Sequence, residues 1–190
     1  MPEQRPSAAG SSAVDASALA FLTRAEAHTA AAAMARIFPD DELGPGAQAA
    51  GTVYYLDRAL AGAEMQLQGF YRSGLRHLDA VAVLRFGAAF AQCPPARQDE
   101  LIGAMAADAV PEFGRTPTAL AFFESLRAHT IEGMFSDPVH GGNRDLVGWK
   151  LLGYPGPQPG YSHEEQQLDA VIVRDRIFTA ADYPLPEVKQ

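Results

Sequence analysis

The stretch from Leu126 to Pro157, LRAHTIEGMFSDPVHGGNRDLVGWKLLGYPGP, is the strongest constraint on what this chain can fold into. Upstream of it the sequence reads as helix after helix. Downstream there is only a short tail. Inside it the helical periodicity stops, and three breaker clusters follow: Asp137-Pro138, Gly141-Gly142-Asn143 and Tyr154-Pro155-Gly156-Pro157. A residue that precedes proline is pushed out of the α region, and Gly and Asn tolerate positive φ. Trp149, the single tryptophan, sits between two clusters. Long structureless loops are uncommon in compact domains. An ordered loop, self-bonded or functional, is therefore expected here.

The upstream helices carry readable signals. Thr23-Arg24-Ala25-Glu26 is a capping box preceded by Leu22, and the helix it opens runs through an alanine-rich stretch to about Phe38, where Pro39 stops it. PDDELGPG then reads as a solvated acidic turn, because it lacks the ligand spacing of a calcium loop. A second helix is predicted over Ala47–Ala61, with Val53, Leu56 and Leu60 on one face. Asp57 beside that face is expected to be solvated or paired with an arginine such as Arg58. Further helix is expected between Met65 and Gln92, broken near Gly74 and Gly87. Pro95 then suits the first turn of a helix over Ala96–Ala107. The last long helix is predicted to start with Thr116 as cap and Pro117 at the first position, with Leu120, Phe123, Leu126 and Thr130 on one face. It delivers His129 and Glu132 to the mouth of the loop, three residues apart and so on one face. The fold class is all-α: a single compact multi-helix domain with a long ordered Gly/Pro-rich loop and an irregular C-terminal tail. The expected layout is a disordered segment over 1–17, the helical domain over 18–161 and the tail over 162–190. Ala170-Val171-Ile172-Val173 reads as either one short strand or more helix.

Charge and motifs narrow the function classes. With 15 Lys and Arg against 23 Asp and Glu, the net charge is −8. A nucleic-acid binder would show a basic patch instead, and anionic lipid would not attract such a chain. No stretch approaches the ~20 apolar residues of a membrane span. Cys93 is the lone cysteine, so an internal disulfide and a multi-thiolate zinc site are excluded. His28 is expected at the surface. The five histidines show no metal-ligand spacing; His129-x-x-Glu132 reverses the Glu-x-x-His of di-iron bundles and occurs once. There is no Gly-x-Gly-x-x-Gly after a strand and no Gly-x-Ser-x-Gly elbow. No catalytic, cofactor-binding or metal site is therefore assigned to this chain.

Two blocks resemble the gluconate 2-dehydrogenase subunit 3 family, the small non-catalytic subunits of bacterial flavin-dependent sugar and sugar-acid dehydrogenases. The downstream block is carried by His129, Glu132, Gly133, Phe135, Asp137, Pro138, Gly141, Gly142, Asn143, Trp149, Gly153, Pro155 and Gly156. The upstream block is carried by Leu22, Thr23, Glu26, Ile37, Pro39, Gly44, Pro45, Gly46, Ala47, Tyr55, Asp57 and Leu60. The resemblance covers roughly Ala20 to Tyr161. It implies a partner: a large FAD-containing dehydrogenase of the glucose–methanol–choline type that oxidises a sugar or sugar-derived hydroxyl, with FAD in the partner and no cofactor in this chain. A cytochrome c subunit is left open. Together with the aromatic anchors, which favour interfaces, it makes His129, Glu132, Phe135, Asp137, Pro138, His140, Gly141, Gly142, Asn143, Trp149, Tyr154 and Tyr161 the expected docking or loop-forming residues.

Two alternatives stay open. One is an escort that holds the flavoprotein for maturation or export. The other is a stand-alone helical enzyme with His129, Glu132, Asp137 and His140 as an acid–base cluster, which requires those side chains to converge. The first seventeen residues lack a signal peptide and the twin arginine common in the resembled family. A cytoplasmic location is expected, with a periplasmic one if the partner carries the signal or a leader was removed.

Overall fold

Fourteen residues after the Thr23 cap form the first helix, α1 (Arg24–Ile37), in a computed structural model that describes residues 14–172 and 175–183. The capping box is formed: Thr23 Oγ1 accepts from the Glu26 amide, and the Glu26 carboxylate accepts from the Thr23 amide at 2.8 Å. Ala27, Ala30 and Ala33 are fully buried. Their small side chains let neighbouring helices approach α1 closely.

The remaining helices are α2 (Ala47–Ala50), α3 (Thr52–Ala61), α4 (Gln68–Phe86), α5 (Pro95–Ala106), α6 (Ala119–Phe135) and α7 (Val147–Leu152), joined by short 3-10 turns. No strand occurs among the described residues. The all-α expectation holds. One helix was expected over Ala47–Ala61, but Gly51, at φ +66°, divides it into α2 and α3. Across that break the Arg144 guanidinium lies 3.6 Å from the centre of the Tyr54 ring.

Gly74 does not break α4. The helix runs through it because a side chain at that position would collide with the Phe122 ring from α6. Burying a phenylalanine contributes about 2–3 kcal/mol, against the ~1 kcal/mol that glycine costs a helix interior, so packing decides. Gly87 does end α4, in the left-handed conformation usual for a helix C-terminus. Pro95 takes the first position of α5 as expected.

Helix α6 is central and packs against α1, α3, α4 and α5. It starts two residues later than expected, because the Thr118 hydroxyl supplies the cap, accepting from the Ala121 amide. Its buried face is also rotated. Phe122 lies at the centre where Phe123 was expected, in contact with the rings of Tyr71 and Phe113.

Asp57 is the clearest departure in the upstream half. It is neither solvated nor paired with Arg58. It is fully buried and accepts the backbone amides of Ala20, Phe21 and Leu22 at 2.6, 3.0 and 2.7 Å. This carboxylate seats the chain entering α1 against α3. Of the N-terminal segment, residues 1–13 lie outside the described residues. Asp15 caps a turn over Ala16–Ala18, and its amide donates to Tyr54 Oη at 2.7 Å. In the tail, residues 170–172 are neither strand nor helix, and Val173 lies outside the described residues. The tail returns to the loop where the Phe178 amide donates to Pro155 O and the Ala180 amide to Asp137 Oδ2.

Candidate functional site

Two groups of side chains form at the C-terminal end of α6. The first centres on His129, 4% exposed. Its Nδ1 lies 2.9 Å from Ser125 O and 2.7 Å from Tyr71 Oη. The Ser125 carbonyl can only accept, whereas Tyr71 Oη can accept from Nδ1 or donate to it, so either ring nitrogen can carry the proton; Nε2 faces away from both. At 2.6 Å from Nε2 stands Oε2 of Glu64, from the bend between α3 and α4. One turn on from His129, Glu132 accepts from Tyr55 Oη at 3.1 Å. One oxygen each from Glu64 and Glu132 and a ring nitrogen of His129 lie within 4.8 Å of one another.

The electrostatics of this group are negative. Burial, then the Glu132 charge and its hydrogen bond, then Glu64, push Tyr55 up to about 12. Burial also raises Tyr71, with the same two carboxylates adding to it and the Ser125 hydroxyl opposing. Beside the group opens a cleft of about 310 Å³ lined by Tyr55, Arg58, Glu64, Val139 and His140 among others. Arg58 closes one side by donating to Val139 O at 3.1 Å.

The second group is the loop itself. Asn143 is its hub and is fully buried. Its amide donates to Gly133 O at 2.7 Å, its Nδ2 to Ser136 O at 2.9 Å, and its Oδ1 accepts from the Gly148 amide at 2.9 Å. Those bonds hold Asn143, Asp145 and Leu146 at positive φ, a conformation that costs each residue of order 1–3 kcal/mol. Gly142 is needed for contact: a Cβ there would collide with the carbonyl of Gly133. Asp137 accepts from the Val139 amide at 3.0 Å and from the Ala180 amide at 2.7 Å. Pro138 opens the 3-10 turn Pro138–His140, and Gly141 ends it at φ +103°. Phe135 packs edge-on against Phe38.

The structure thus brings His129 and Glu132 together and sets His140 on the same cleft. Asp137 is committed to the loop backbone, so the four-residue acid–base cluster does not form. Trp149 also differs from an exposed anchor. It is 4% exposed, and its Nε1 donates to Phe135 O at 2.7 Å. Tyr154 packs edge-on against it and remains 42% exposed. Tyr161 is 49% exposed. Both border a second depression of about 690 Å³, shared with Lys150, Ile172 and Arg176. Leu152, Leu168 and Val171 are exposed in the same part of the chain.

Sequence reading missed Glu64 and Tyr71. They stand 65 and 58 residues from His129, and no local spacing joins them. A signal was available at Tyr71, an aromatic at helical spacing from Leu75 and Leu78, but its hydroxyl partner was not legible.

Residues 24–156 match the family model described as gluconate 2-dehydrogenase subunit 3. No curated protein and no solved structure matches the chain. The matched span runs from the start of α1 to Gly156, and so contains both groups of side chains.

Proposed function

This chain belongs to the gluconate 2-dehydrogenase subunit 3 family, and we propose that it is the small, non-catalytic subunit that binds and stabilises a large FAD-containing dehydrogenase of the glucose–methanol–choline type. The partner oxidises a sugar or sugar-derived hydroxyl and carries the flavin. The family match over both blocks is the observation that carries this reading. The loop supports it. A segment whose backbone is fixed by Asn143, Asp137 and Trp149 loses little conformational entropy on docking. Trp149 acts from beneath, as the support for Tyr154.

The docking surface is then the exposed apolar face around Leu152, Tyr154 and Tyr161, next to the −8 chain's Lys150 and Arg176. Tyrosines in such positions are common hot spots, where truncation costs about 2 kcal/mol or more. Tyr154→Ser combined with Tyr161→Ser is expected to reduce co-purification of the large subunit by about tenfold or more while leaving the circular dichroism unchanged. Unchanged recovery would move the interface elsewhere on the molecule. Activity of the large subunit after removal of this chain separates a lasting subunit from an escort that is needed only during maturation.

A further inference from the structure

The Glu64–His129–Glu132 group presents a problem that the loop and the docking surface do not explain. His129 Nε2 stands 2.6 Å from a Glu64 carboxylate oxygen, so a cation bridges the two, either a proton on Nε2 or a metal ion. Glu132 brings a second carboxylate to the same point. No lysine or arginine forms an ion pair with Glu64 or Glu132 among the described residues, and Arg58 spends its donor on Val139 O.

We propose that Glu64, His129 and Glu132 are the protein ligands of a single divalent transition-metal ion of the zinc class. The donor set is one imidazole and two carboxylates, which suits zinc and its neighbours better than magnesium or calcium. Three protein ligands leave a coordination position open, and the cleft lined by Tyr55 and His140 supplies the space for it. The outer contacts are those that metal sites use. With an ion on Nε2, the proton sits on Nδ1, which then donates to the Ser125 carbonyl and fixes the ring, and Tyr55 holds Glu132. Because Glu64 comes from the α3–α4 bend and the other two ligands from α6, the ion joins elements distant in sequence.

The test uses the full chain, stripped with a chelator and titrated with zinc chloride in a calorimeter. One ion per chain is expected. At a free zinc concentration about a hundred times Kd, Tm is expected to rise by about 5–10 °C. Glu64→Gln and Glu132→Gln, at a half-buried and an exposed position, are expected to keep the fold by circular dichroism. Each should weaken binding at least about tenfold, since loss of even an outer contact costs that much. Cobalt substituted for zinc is expected to give visible absorption bands that both variants alter. Absence of saturable binding would overturn the proposal and leave an ion pair only, with the shared proton as its cation. Equal affinity in both variants would overturn it as well. No partner chain is needed, so this result and the subunit assignment can fail separately.

Discussion

A carboxylate that accepts three backbone amides cannot be replaced without leaving donors stranded, which makes Asp57 the residue whose loss should cost the fold most. An unsatisfied buried donor costs about 1–3 kcal/mol. Asp57→Ala strands the amides of Ala20, Phe21 and Leu22 and is expected to lower stability by about 3 kcal/mol or more, read from the urea midpoint. A loss under about 1 kcal/mol would mean that the segment before α1 is not held there. At the same scale, Tyr55 couples stability to alkaline pH. Its folded pKa, about 12, lies above the ordinary tyrosine value of 10.0. The stabilisation of the neutral phenol is therefore complete below pH 10 and is lost as pH rises from 10 through 12. The urea midpoint of the native chain should decline as pH rises above 10, and less steeply in Tyr55→Phe. Identical slopes would contradict the placement of Tyr55 beside two carboxylates. These are also the residues that sequence reading served worst. Asp57 looked like a surface acid because an acid beside an apolar stripe usually is one, and nothing local announces three amides arriving from 35 to 37 residues away.

The elements were far more legible, for a physical reason. Capping boxes, proline at a helix start and glycine at a helix end act within one turn, so α1, α5 and the end of α4 could be read from neighbouring residues. Gly51 and Gly74 were misread in opposite directions. Both depend on what packs against them, Arg144 in one case and Phe122 in the other. This contrast predicts opposite signs for the same substitution. Gly103→Ala in α5 meets open space and should stabilise by about 0.4–1 kcal/mol. Gly74→Ala gains the same propensity but drives a methyl into the Phe122 ring, and overpacking costs about 1–3 kcal/mol, so a net loss is expected. Thermal melts of the two variants compare them directly. A stabilised Gly74→Ala would show that α4 and α6 are not in close contact at that position. In the loop, Asn143→Ala removes two side-chain hydrogen bonds and the residue type suited to φ +46°. It should cost about 2–3 kcal/mol and raise amide exchange over 136–149 before the rest of the chain. Uniform exchange would mean that the loop does not depend on its hub.

At the scale of the whole molecule, α6 organises the chain. Its buried face gathers α1, α3, α4 and α5, and its C-terminal end supports both the His129 group and the loop. The loop was visible in the sequence as three breaker clusters, and its place in the fold follows from its contacts with the last turns of α6. The sequence did not convey which of its aromatics face outward. Trp149, the most conspicuous one, is the buried support, and Tyr154 is the exposed surface above it. Trp149→Ala should therefore reduce stability first and partner recovery second, with Tm falling even in the absence of a partner. An unchanged Tm with lost recovery would return Trp149 to the surface. The central claim is that this chain functions as a subunit of a flavoprotein dehydrogenase. The most direct measurement is co-expression with the large flavoprotein, followed by size exclusion monitored at the flavin absorbance. The account predicts that the chain co-elutes with flavin when the large subunit is present and carries none alone. A chain that elutes by itself in both cases, and oxidises a sugar without flavin, would contradict it.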